Sequence, residues 1–278
     1  MLAKFIQSIV MTAMLLPLLG IGQTIRGRVI DAQTLEAIPY VNIGVLKGER
    51  GTVSNVNGDF WLDLTGAKPD AILRYSFIGY ENYDVSVLEM GRACSTYCEV
   101  QLIPKVLEMQ NVVVYPREYA EKLVGNPKPL KNAMAGFKND SLGYELGIRV
   151  RIKKRPTLLK DFRLYGLATT FDTVFYRLNV YEMDGGDPGN NILKEPIYIT
   201  LTDFTNGEDI VIDLSSYHIV VQDDFVISLE YVRKLGEGSL HVRTGFLSGK
   251  TYYRKTSQGE WYSIPLGLGM SVLIRFEK

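Results

Sequence analysis

The sequence predicts an all-β chain folded as two successive β-sandwiches. Short runs of alternating apolar and polar residues recur along most of its length, and Gly, Asn, Asp and Pro turns fall between them at sandwich-like spacings. A third observation sets the division: between residues 116 and 141 the alternation lapses, then returns. A chain of 278 residues with a hydrophobic fraction of 46% supplies one large or two modest cores.

Residues 1–22 read as a signal peptide. Lys4 precedes an apolar run that ends in Gly20-Ile21-Gly22, a small-x-small pattern suited to signal peptidase. Gln7, Ser8, Thr12 and Pro17 interrupt a run already short of the ~20 apolar residues of a spanning helix, so no membrane segment is expected after cleavage. No cysteine near that point offers a lipid attachment site.

Residues 23–115 form the first expected sandwich. Ile25, Gly27 and Val29 alternate with polar neighbours, as do Val41, Ile43 and Val45 before a Lys47-Gly48-Glu49 turn. Asn57-Gly58 signals a hairpin, after which Phe60, Leu62 and Leu64 share one face and Trp61 and Asp63 the other. Ile72–Ile78 is apolar enough for a central strand, and the alternation resumes with Tyr83, Val85 and Val87. Cys94 and Cys98 in GRACSTYCEV are disulfide candidates in an exported chain; the alternative is two free thiols at strand ends. Their C-x3-C spacing without a nearby histidine leaves a zinc site half built.

Several of these residues together resemble a known family. Gly27-x-Val29, the Ala37-Ile38-Pro39 lead, Gly51-Thr52, Asn57-Gly58-Asp59-Phe60 and Ser76-Phe77-Ile78-Gly79-Tyr80 look like the carboxypeptidase regulatory-like domain, a transthyretin-like (prealbumin-like) β-sandwich of exported Bacteroidetes proteins. The resemblance implies architectural roles for Gly27, Gly51, Asn57, Gly58, Phe60, Gly79 and Tyr80. In that family such domains precede peptidase domains, receptor plugs and barrels, or domains of unknown role. Val112-Val113-Val114 is similar to the strand that leads into a receptor plug.

REYAEKLV and LKNAMAGFK, separated by Asn126-Pro127-Lys128-Pro129, make residues 116–141 a linker with short helices. In residues 142–278 about eight strand-like runs, among them TVFYRLNVYEM, DIVIDL, FVISLEYV and SVLIRF, suggest a jelly-roll-like sandwich. This part resembles an uncharacterised β-rich domain that follows the regulatory module in Bacteroidetes proteins.

Catalytic motifs do not assemble. His218 and His241, each read as lying in a strand, lack the H-x-x-E partner of a zinc carboxypeptidase, and no G-x-S-x-G is present. A hydrolase would need Asp203, Asp213 or Asp224 to converge from distant strands. Asp184, Asp187, Asn190 and Asn191 in EMDGGDPGNN read as turn chemistry before calcium ligation. The basic run Arg149–Arg155 reads as a solvated strand face without the aromatic platform of a nucleic-acid binder. Lys+Arg and Asp+Glu balance at 31 each, so no global field favours nucleic acid. Tyr252, Tyr253, Trp261 and Tyr262, around the Ser257-Gln258-Gly259 turn, are candidate glycan contacts.

The expectation is a non-enzymatic, cofactor-free binding or scaffold protein of the periplasm or outer membrane, with an envelope protein as partner. The alternative is a carbohydrate-binding accessory protein of a glycan-uptake system.

Overall fold

The computed structural model describes residues 24–94, 96–105, 118–138, 141–202 and 204–278. The signal-peptide segment, the Val112–Val114 run and Asp203 lie outside the described residues. Among the described residues, no helix is long and apolar enough to cross a membrane.

The first sandwich comprises β1 (Thr24–Asp31), β2 (Asn42–Val45), β3 (Gly51–Val53), β4 (Asp59–Asp63), β5 (Ile72–Ser76), β6 (Tyr83–Ser86), α1 (Val87–Ala93) and β7 (Cys98–Leu102). One sheet has the order β4-β1-β7 and the other β3-β2-β5-β6. Between them pack Val29, Ile43, Phe60, Leu73, Tyr75 and Leu102, as the alternation requires. β1 pairs antiparallel with β4 but parallel with β7, in register from Gly27↔Cys98 to Asp31↔Leu102.

Two local expectations need correction. The turn at Asn57-Gly58 does not close a paired hairpin, because β3 pairs with β2 and β4 with β1. It carries the chain from one sheet to the other, with Gly58 supplying a φ of +75°. Val87, read as strand, begins α1: the Ser86 hydroxyl accepts from the Glu89 amide while the Glu89 carboxylate accepts from the Ser86 amide, a capping box.

The second unit contains β8 (Tyr119–Gly125), β9 (Leu130–Lys138), β10 (Glu145–Val150), β11 (Thr157–Thr169), β12 (Val174–Asp184), β13 (Asp187–Asn191), β14 (Ile197–Leu201), β15 (Glu208–Asp213), β16 (Val220–Val221), β17 (Phe225–Glu230), β18 (Ser239–Arg254), β19 (Tyr262–Leu268) and β20 (Met270–Glu277). Pairing runs β13-β12-β17-β10-β18 and continues through the far end of β18 into β11-β20-β8. The 16-residue β18 thus joins the two layers, and β9 and β19 also pair along it. Phe137, Ile148, Phe162, Tyr176, Ile227 and Val272 form part of the core between the layers.

The expected linker with short helices is replaced by β8 and β9. Ala, Glu, Lys and Leu in REYAEKLV favour a helix locally. The ladder overrides that preference, since β8 pairs with β20 from Tyr119↔Glu277 to Gly125↔Ser271. β9 is drawn onto β18 in the same way, so the second unit begins before residue 142.

The two sandwiches meet backbone to backbone. A Cβ at Gly44 would lie 2.2 Å from the Ser257 carbonyl oxygen and one at Gly51 2.3 Å from it. The Ser257-Gln258 turn therefore rests directly on β2 and β3. Lys47 donates its amide to the Gln258 carbonyl at 2.8 Å, and Gln258 Nε2 donates to Ser76 Oγ at 2.6 Å. Gly44→Ala is expected to cost about 1–3 kcal/mol by forcing this junction apart, with the loss read from chemical denaturation.

Candidate functional site

The junction is built around a row of charges fixed by strand register. Arg177 of β12 lies opposite Glu230 of β17, Glu230 opposite Glu145 of β10, and Glu145 opposite Arg254 of β18. Neighbouring strands thus carry plus, minus, minus and plus across one face of the sheet, close enough to touch. Both carboxylates are fully buried, and the arginines nearly so. Arg177 Nη2 meets Glu230 Oε2 at 2.7 Å, and Arg254 Nη2 meets Glu145 Oε2 at 2.6 Å.

Neutral donors complete the row. Asn179, two residues past Arg177 and on the same face, donates its amide to Glu145 at 2.9 Å and to Glu230 at 2.8 Å. The Tyr181 hydroxyl donates to Glu145 at 3.2 Å, and the Ser228 hydroxyl donates to Glu145 as well. Burial pushes the Glu145 carboxyl up; Arg254 pulls against this, and the neighbouring Glu230 charge adds to it. Burial also acts upward on Glu230, but Arg177 and Arg254 outweigh it and hold that carboxyl below its ordinary value.

Arg177 also reaches into the first sandwich. Its Nη1 donates to the Tyr40 carbonyl at 2.7 Å, and its Nη2 donates to the Asn42 side-chain oxygen. Tyr40 adopts a left-handed φ of +57°, which costs about 1–2 kcal/mol for an L-residue. The Tyr40 ring lies 5.4 Å from both Phe175 and Tyr198, and Val53 and Val232 close the same small cluster.

Two concavities border this junction. A cleft of about 450 Å³ lies between Asn42, residues 76–80, Asn82 and Lys105 on one side and Arg177, Asn179, Asn190–Lys194, Arg254 and Trp261 on the other. A larger groove of about 1110 Å³ runs along β3 and β4, past Trp61, to Leu142, Val232 and Lys255 of the second unit.

Residues 25–114 match the model of the CarboxypepD_reg-like domain. This is a non-catalytic β-sandwich domain, and here it supplies Tyr40, Asn42 and both edge strands of the groove. No curated protein matches the chain. Among solved structures, that of the infectious bursal disease virus Gt strain aligns with 91% of this chain and 62% of its own, at 11% identity and a TM-score of 0.29. The Gx strain aligns with 91% and 61%, at 11% identity and a TM-score of 0.25. The chain therefore spans less than two thirds of either viral chain, and scores this low carry no argument about shared fold or function.

Within the CarboxypepD_reg-like domain, Cys94 and Cys98 are joined by a disulfide with Cα atoms 5.0 Å apart. Gly27 sits hard against the Cys98 carbonyl, and Gly51 against Ser257. Asn57 and Gly58 form the sheet-to-sheet turn, where the Asn57 amide donates to Asn55 Oδ1 at 2.8 Å. Phe60 is in the core, Gly79 has a φ of +88°, and the Tyr80 hydroxyl donates to Asp31 at 2.8 Å. Burial, and then that bond to Asp31, push the Tyr80 phenol up to about 12.

The C-terminal aromatics do not form one platform. Tyr252 is fully buried and donates its hydroxyl to the Gly186 carbonyl, which corrects its reading as a glycan contact. Tyr253 and Tyr262 stack on each other with centroids 5.4 Å apart, while Trp261 packs edge-on against Tyr181 and lies 5.0 Å from the Arg254 guanidinium carbon. Asp213 and Asp224 do not converge: Asp213 accepts from the Ser215 amide and Asp224 pairs with Arg149. Asp184 and Asp187 flank the two-glycine turn between β12 and β13, and among the described residues no three His, Cys, Asp or Glu side chains gather as a metal site. His218, read as strand, follows a single 3-10 turn at φ +49°.

Removing Arg177 leaves Glu230 buried beside another carboxylate. Arg177→Met is expected to destabilise the fold by about 3–5 kcal/mol, and Arg177→Met with Glu230→Gln by clearly less, measured as a double-mutant cycle in urea. The pH dependence has opposite signs at the two carboxyls. Glu145, raised above 4.5, contributes stability that is complete below that value and is lost as pH climbs through its raised pKa. Glu230, depressed below 4.5, contributes stability that is complete above that value and is lost as pH falls through its lowered pKa. The melting temperature of Glu145→Gln should therefore gain on that of the parent as pH rises from 4.5, in calorimetric scans.

Proposed function

We propose that the chain is a non-enzymatic, exported binding protein of the cell envelope. Its two sandwiches are clamped into one body that takes an extended segment of a protein partner. The observation that carries this reading is the groove between the sandwiches. β3 is the edge of one sheet of the first sandwich and β4 the edge of the other, and the whole of both strands lines the same groove.

An edge strand presents unpaired backbone donors and acceptors to a further strand. Strand addition draws affinity from that backbone and specificity from side chains beside it. Trp61 is 62% exposed on β4 and Val56 63% exposed in the turn before it, apolar contacts available to such a partner. Arg50, Arg233, Lys234 and Lys255 give the rim a basic character, tempered by Glu49, Asp59 and Asp63. The matched domain is non-catalytic, and the buried carboxylates are engaged by arginines and amides, so binding needs no reactive residue. Export is supported by the leader-like residues 1–22 and by the Cys94–Cys98 disulfide, a bond that persists in oxidising compartments.

The test is site-specific photocrosslinking in cells that export the chain. Probes at Val56 and Trp61 should give an adduct with one discrete protein, and a probe at Phe246, exposed outside the groove, should not. With that partner purified, Trp61→Ala is expected to weaken binding at least tenfold by calorimetric titration. Adducts spread evenly over all three positions, or none from the groove, would remove the proposal.

A further inference from the structure

The cleft on the Arg254 side of the junction shares no lining residue with the groove, so it is open to a ligand of its own. Its chemistry is one-sided. Arg74, Lys105, Arg177, Lys194 and Arg254 line it, and among the described residues no aspartate or glutamate does. Three of these charges are already balanced: Arg74 by Asp84 at 2.6 Å, Arg177 by Glu230 and Arg254 by Glu145. Lys105 and Lys194 are exposed and have no carboxylate partner among the described residues. They line the cleft from different sandwiches and give it a surplus of positive charge.

Uncommitted amide groups share the lining with the lysines. Asn42 is only 8% exposed, and its side-chain oxygen is taken by Arg177, yet its side-chain nitrogen has no acceptor among the described residues. Gln258 spends its nitrogen on Ser76 and Asn190 spends its nitrogen on Glu182, and among the described residues each carbonyl oxygen has no donor. Asn82 is exposed, with both amide groups unpaired among the described residues. An amide presents donor and acceptor together, the complement of a hydroxyl. Trp261 adds an aromatic ring, anchored over Arg254 and Tyr181.

A volume of about 450 Å³ is far more than a lone inorganic anion needs and falls in the range of small-ligand sites. The geometry points to a binding site for an acidic sugar of one or two residues. Its carboxylate lies between Lys105 and Lys194, its hydroxyls meet Asn42, Asn82, Asn190 and Gln258, and one ring face rests on Trp261. This site lies across the two sandwiches, apart from the C-terminal tyrosines, and is independent of the protein-binding groove. Because its walls come from both units, the ligand would also tighten the junction.

The experiment is calorimetric titration of the full chain with digalacturonic acid, with a neutral digalactoside, inorganic phosphate and a short peptide with a free C-terminal carboxylate as comparison arms. Saturable binding of digalacturonate is expected, weakened by added salt and reduced at least tenfold in Lys105→Ala/Lys194→Ala. Both lysines are exposed, so the variant should keep the parent's melting temperature. Asn82→Ala, also at an exposed position, should weaken binding by a smaller factor. The inference fails if digalacturonate does not bind, or if the double variant binds it as the parent does. It fails equally if the neutral sugar, phosphate or the peptide binds as tightly, since these would assign the cleft to hydroxyls alone, to any anion, or to a polypeptide end.

Discussion

Arg177 has to be satisfied from two directions, and the arrangement of the whole chain follows from that requirement. A guanidinium removed from water needs partners for its charge and its donors, or the desolvation penalty dominates. Glu230 supplies the charge from the neighbouring strand, while the Tyr40 carbonyl and the Asn42 side chain supply acceptors from the first sandwich. Separating the sandwiches would leave the guanidinium with half its partners and re-expose the aromatic cluster around Tyr40. The junction therefore couples the two cores instead of merely tethering them.

The same constraint accounts for the order of charges across the sheet. Two carboxylates on adjacent strands repel each other, and an arginine at each end of the row offsets that repulsion. Asn179 bridges the pair with one amide nitrogen, which is why a neutral residue stands between Arg177 and Tyr181 on the same face of β12. The face opposite is apolar from Val174 to Val180, with Tyr176, Leu178 and Val180 in the core. From Tyr176 to Tyr181, β12 is thus buried on both sides, by hydrocarbon on one and by compensated charge on the other.

Much of the first sandwich was legible because period-two alternation states directly which residues are inside. Phe60, Leu62 and Leu64 are buried and Trp61 is exposed, as their spacing requires. What the alternation does not state is the partner of each strand, so Asn57-Gly58 looks like a hairpin turn although the chain crosses between sheets there. The spacing of Ser86 and Glu89 announces α1, a signal masked by Val85 and Val87 on either side of the cap. β8 and β9 were hidden because their composition favours a helix and only distant strands draw them into a ladder. The charge row was invisible for a related reason: Glu145, Arg177, Glu230 and Arg254 lie in four separate runs, and register alone aligns them. One local trace exists, namely that Glu230 closes the largely apolar run FVISLE.

The parallel pairing of β1 with β7 has a mechanical consequence. In antiparallel neighbours joined by a turn, tension on the two free ends opens the ladder one bond at a time. Here the start of β1 at Thr24 and the end of β7 at Leu102 point away from each other, with five residue pairs between them in register. Tension drawn through the domain along this axis loads that ladder in shear, and its bonds share the force. A domain paired in this way is suited to carry tension between its two ends, because no single bond of the ladder bears the load alone.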